Sequence, residues 1–146
     1  MGDRGEIHIQ GPEYTPDGDP IPVPFEVFVY THDGGTELPL LAAVAIDKAE
    51  GGRRLGDLPY FARICVDTLS THSDSDTRGV GVSNSHIDGY KTVYYRKRRS
   101  DTGHSITVEL SGYDYTAAQD LEGRQMGPAE FADTIADIQD LKGVDL

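Results

Sequence analysis

The chain has 146 residues, with 13 Lys+Arg against 25 Asp+Glu and a formal net charge of −12. That length suits one ordinary domain and is short for two. No apolar run approaches the roughly 18 residues needed to span a bilayer, the opening Met1-Gly2-Asp3-Arg4 lacks a signal-peptide core, and the single cysteine excludes an intrachain disulfide and a cysteine-based zinc site.

Glu6 to Gln10 alternates apolar and polar residues, which predicts a strand. A loop with five prolines (Pro12, Pro16, Pro20, Pro22, Pro24) and the turn Pro16-Asp17-Gly18-Asp19 follows. Phe25 to Tyr30 is apolar on both faces and predicts a central strand. Two helices come next, each opened by a capping oxygen and a first-turn proline: Thr36-Glu37-Leu38-Pro39 and Asp57-Leu58-Pro59. The first is expected to stop at Gly51-Gly52. The second presents Leu58, Phe61, Ala62, Cys65 and Leu69 at helical spacing. Three strands are expected at Gly79 to Ser83, Lys91 to Arg98 and His104 to Leu110, the last two joined through Ser100-Asp101-Thr102-Gly103. Pro128 opens a final helix with the apolar stripe Phe131, Ile135, Ile138 and acids Glu130, Asp133, Asp137 and Asp140 opposite.

The order ββααβββα predicts an α+β fold: a single domain with a mainly antiparallel sheet of four or five strands, both central helices on one face, and a C-terminal helix. The expected division is a core over 1–110, a polar connector over 111–127 and an amphipathic helix over 128–142. The expected core includes Ile7, Ile9, Val27, Val29, Leu41, Val44, Phe61, Cys65, Val80, Val93, Ile106 and Val108.

Asp outnumbers Glu 17 to 8 and Arg outnumbers Lys 9 to 4. A surface rich in short carboxylates and poor in lysine is similar to proteins of halophilic archaea and their viruses, where molar salt screens self-repulsion. A GC-rich coding sequence favours the same residues without halophily.

Three segments pair histidine with aspartate: His32-Asp33, His72-Asp74 and His86-Asp88. Imidazole with carboxylate suits zinc, manganese or iron, so His32, Asp33, His86 and Asp88 are candidate ligands of a metal-dependent hydrolase. With 17 aspartates in 146 residues, chance neighbours of this kind are easy. Asp74-Ser75-Asp76 begins like a calcium loop but places Arg78 and Ser85 where oxygen ligands belong. Gly81-Val82-Ser83-Asn84-Ser85 misses the nucleophile elbow at its last glycine. Cys65, on an apolar helix face, reads as packing. No Walker or dinucleotide loop is present, and no cofactor is expected.

The feature that departs most from the background is basic. Lys91, Arg96, Lys97, Arg98 and Arg99 place five of 13 cations in nine positions, leaving 8 positive and 25 negative side chains elsewhere. Cations on both strand faces imply a hairpin that projects into solvent. With Tyr94 and Tyr95 beside them, Arg96, Lys97, Arg98 and Arg99 are candidates for contact with nucleic acid, or with acid elsewhere, such as the acidic stripe on the last helix of this chain or of a neighbouring copy.

The opening Met1-Gly2-Asp3-Arg4-Gly5-Glu6-Ile7, the segment Val27 to Gly34, the helix pair and Gly79-Val80-Gly81-Val82 resemble a family of small uncharacterised proteins of tailed phages and prokaryotes. Its members open Met-Gly-Thr-Arg-Ser and carry Tyr-x-x-Asp-Gly after the second strand. The resemblance covers about the first 110 residues by order of elements; Asp3 and Gly5 depart from the opening, and the last helix is additional. It implies a viral or mobile-element setting and no catalytic residue. The expected function is a non-catalytic accessory or structural protein acting through protein contacts, in the host cytoplasm or the virion. Metal-dependent hydrolysis and nucleic-acid binding are the alternatives. Self-association through the last helix is expected, with Phe131, Ile135 and Ile138 as buried anchors.

Overall fold

The computed structural model describes residues 4–13, 15, 17–19, 21–32, 35–72, 79–100, 103–113, 121 and 123–142. Their elements are β1 (Gly5–Gly11), β2 (Phe25–Thr31), α1 (Leu38–Gly51), α2 (Leu58–His72), β3 (Val80–Ser83), β4 (Lys91–Ser100), β5 (Gly103–Ser111) and α3 (Pro128–Lys142). The fold is α+β, in the order expected from the sequence. No helix among the described residues is long and apolar enough to cross a membrane.

The five strands form one sheet in the order β3-β2-β1-β4-β5. All pairings are antiparallel except β1 with β4, which run parallel with Ile7 opposite Val93 and Ile9 opposite Tyr95. The central strand is therefore β1, and β2 lies between it and the edge strand β3. β2 is itself an interior strand, and its apolar character on both faces follows from burial on both, with Phe28 on one face and Val29 on the other.

Period-2 alternation sorts the two faces. Ile7, Ile9, Val29, Val93, Tyr95, Val108 and Leu110 join side chains of all three helices in one buried cluster. In α1 the run Leu41, Ala42, Ala45, Ile46 and Ala49 is buried because the helix packs against both α2 and α3. Of the expected core, Val27, Val80 and Ile106 are only partly buried against this cluster, and Val44 is half-buried. Val27 lies beyond the end of β3, whose pairing with β2 stops at Phe28. Val80 and Ile106 sit on the two edge strands.

The helix starts differ from each other. Asp57 caps α2 as expected, its Oδ1 accepting from the Tyr60 amide at 3.4 Å. In contrast, α1 follows a 3-10 turn over Gly35–Glu37, and Glu37 at its N-cap makes no side-chain capping hydrogen bond. The chain leaves α1 through Arg53, at φ 58°, with the Arg54 amide bonded to Ala49 O at 2.8 Å.

Within 111–127, Tyr113, Leu121 and Met126 are buried. Met126 forms a two-way backbone bridge with Val108, at 2.7 and 2.9 Å, which covers the outer edge of β5. The described part of this segment is stitched to the sheet.

Candidate functional site

The face of the sheet away from the described helices carries the polar half of each strand's alternation. Phe28, His8, Tyr94 and Glu109 lie side by side across β2, β1, β4 and β5. His8 stacks on Phe28 with ring centroids 4.0 Å apart, and its Nε2 donates to Glu26 Oε2 at 2.8 Å. One row towards the start of β1, Glu6 is fully buried. One row the other way, Gln10 lies opposite Arg96.

The segment from Asn84 to Tyr90 closes over the Glu6 end of this face. His86 Nδ1 donates to Glu6 Oε2 at 3.0 Å and the Ile87 amide donates to Glu6 Oε1 at 3.1 Å. The Tyr90 hydroxyl meets Nδ1 of His32 at 2.6 Å. The structure thus brings His32 and His86 to the same end of the sheet, on separate partners. Asp88 lies exposed in a turn, and Asp33, His72-Asp74 and the calcium-like run lie outside the described residues or side chains. No group of three or more potential metal ligands occurs among the described residues.

Sequence reasoning passed over Glu6 and His8. The signal was the alternation itself: both occupy strand positions opposite Ile7 and Ile9, so a carboxylate and an imidazole had to share the second face of the central strand.

The opposite end of the face opens towards the basic hairpin. The pairing of β1 with β4 ends at Gln10 and Arg96, while β4 continues to Ser100 paired with β5. Where β1 leaves the sheet at Pro12, a groove of about 310 Å³ is lined by Gln10, Gly11, Pro12, Pro24, Arg96, Lys97 and Arg98. Arg96 stacks over Tyr94, 4.3 Å from the ring centroid, and pairs with Glu109 at 3.2 Å. Its Nε is buried without a hydrogen-bond partner among the described residues. Lys97 reaches to the helix side, donating to Gly56 O at 3.0 Å, and Arg98 is exposed. Arg99 faces His104 in the backbone register. Three of the four expected partner-binding cations therefore line one groove.

No family model, curated protein or solved structure matches the chain. The roles of its residues rest on their chemistry and placement.

The expected anchors of the last helix have another place. Phe131, Ile135 and Ile138 are buried in the chain's own core, where α3 packs on α1 and β5. To hold a second copy, these three side chains would first have to leave that core. The acids Glu130, Asp133 and Asp137 stay exposed on α3. Arg96 instead finds its acid on the adjacent strand β5.

Proposed function

We propose that this chain is a non-catalytic accessory or structural protein that works by binding another protein, and that the groove beside the β4–β5 hairpin receives an acidic segment of that partner. The observation that supports this reading is that Arg96, Lys97 and Arg98 line one groove, with Arg98 exposed, in a chain of net charge −12. A local cation cluster on an acidic body selects partners by charge and sets their orientation. His32 and His86, by contrast, already hold Tyr90 and Glu6, which leaves the hydrolase reading no shared ligand set among the described residues. Composition and resemblance support the setting: a virus or mobile element of a halophilic host, with the protein in the host cytoplasm or the virion.

Nucleic acid is the competing ligand for the same groove, because Tyr94 and Arg96 offer a stacked pair to a base. Glu26 and Glu109 on the same sheet face weigh against a phosphate chain there. The test is titration with a short polyglutamate peptide and with a single-stranded oligonucleotide, each at several salt concentrations. Binding of the peptide that weakens with salt and is lost in Arg98→Glu is the expected result. Preference for the oligonucleotide, or binding of neither, overturns the reading.

A further inference from the structure

The two edges of the sheet are treated differently. Met126 bridges Val108 and covers β5, whereas the outer edge of β3 pairs with no strand among the described residues. Exposed edges ordinarily carry lysine or other charge, or proline, to keep stray strands away. From Gly79 to Ile87 this chain has nine residues without a single Asp, Glu, Lys or Arg, although 26% of its residues are charged. Val82, in the middle of the edge, is 55% exposed and lies on the helix side of the sheet, opposite Val29.

The neighbouring helix continues this neutral strip. The flank of α2 that meets α1 is marked by Thr68, whose Oγ1 accepts from Lys48 Nζ at 3.4 Å. At 3.6 residues per turn, the opposite flank carries Pro59, Ala62, Val66 and Ser70. It overhangs β3, because α1 occupies the side towards the sheet centre. None of those four residues is charged, and Ala62 and Val66 are only half-buried.

We propose that the chain forms a two-fold homodimer in which β3 pairs antiparallel with β3 of a second copy and α2 packs against its symmetry mate. Two bodies of charge −12 repel each other wherever charged surfaces meet, so the neutral strip is where a second copy approaches at least cost. Interface cores are depleted of charge in the same way. A lone strand from another protein would pair with β3 but leave Val66 and Ala62 uncovered. A two-fold axis covers strand and helix flank together, since an isologous contact sets each patch against itself.

Light scattering on the full-length protein in molar salt tests this, with Val82→Lys and Val66→Lys as variants and circular dichroism as the control for folding. Both positions already meet solvent, so a lysine there has room. The parent is expected at twice the chain mass, and each folded variant at the chain mass. A parent at the chain mass at every concentration, or folded variants that keep the doubled mass, overturns the proposal.

Discussion

Glu6 and His86 lie 80 residues apart in the chain and 3.0 Å apart in the fold. The carboxylate is fully buried, while the imidazole that donates to it is about half exposed. A buried carboxylate needs donors, and Glu6 draws both from the segment that closes over the sheet: His86 Nδ1 and the Ile87 amide. This segment is therefore held to β1 through the Glu6 side chain.

Removing that side chain strands a donor. In Glu6→Ala the Ile87 amide loses its acceptor and His86 its partner, at an expected cost of about 1.5–3 kcal/mol. Glu6→Gln keeps an acceptor for Ile87 and is expected to cost less. Urea unfolding gives the two values, and amide exchange at Ile87 should speed up in the alanine variant. A cost in Glu6→Ala below about 0.5 kcal/mol, in the range of an ordinary surface change, would mean that the contact does not hold the segment.

Alkaline pH should unfold the protein through two buried acids. Burial pushes both the Cys65 thiol and the Tyr95 phenol far above their ordinary ranges, and for Tyr95 the neighbouring Cys65 and Glu50 charges add to it. The folded state keeps these protons when the unfolded chain has released them. Stability is thus fully present below the unfolded values, near 8.5 for Cys and 10 for Tyr, and falls as pH rises past them. Each group contributes a slope of up to about 1.4 kcal/mol per pH unit. Cys65→Ala should remove the part that begins at the lower pH, and the native thiol should resist modification until the protein unfolds. A flat profile to pH 11 in the parent would contradict the burial of both groups.

The strands and helices were legible because their periods are clean. Ile7 and Ile9 alternate in β1, and Phe61, Cys65 and Leu69 recur at helical spacing in α2. The parallel partnership of β1 with β4 was not legible, because it pairs residues 86 positions apart, such as Ile7 and Val93, and no local signal records it. The start of α1 departs from its sequence signal for a local reason: Thr36 looks like a cap, but the chain takes a 3-10 turn first. At the site, cation spacing alone marked the hairpin, while the groove depends on the pairing of β1 with β4 ending at Gln10 and Arg96, four residues before β4 ends at Ser100. The His/Asp neighbours carried least, since proximity in sequence says nothing about which buried acceptor each imidazole finds.

Gly11 marks the place where β1 leaves the sheet, and its missing side chain matters there. A Cβ at this position would lie 2.6 Å from Lys97 Cβ, 2.9 Å from Leu58 Cδ1 and 2.9 Å from Lys97 O. One of these contacts is backbone, so the strand itself would have to shift. Gly11→Ala is expected to cost about 1–3 kcal/mol, as overpacking does, and to weaken polyglutamate binding by moving Lys97 and its neighbours. An unchanged denaturation midpoint and unchanged binding would show that the strands separate freely at this point.

Salt should stabilise the chain. With 25 acidic and 13 basic side chains, folding brings an excess of negative charge together, and screening relieves it. The melting temperature is expected to rise as sodium chloride goes from tenths molar to molar. Potassium chloride should act similarly, since screening depends on ionic strength. A flat or falling melting temperature would remove the halophilic reading of the composition.

The last helix gives the clearest separation between packing and association. Phe131 is 0% exposed, Ile135 3% and Ile138 9%, all within the one chain. Phe131→Ala should therefore destabilise the fold by about 3–5 kcal/mol, the range for emptying an aromatic site in a core. Ile135→Val removes one methylene and should cost about 0.5–1.5 kcal/mol. Because the stripe lies away from β3, molecules that remain folded should keep the parent's mass in light scattering. If Phe131→Ala instead leaves the melting temperature unchanged and halves the mass, α3 is an association helix and its packing on α1 is not what holds it.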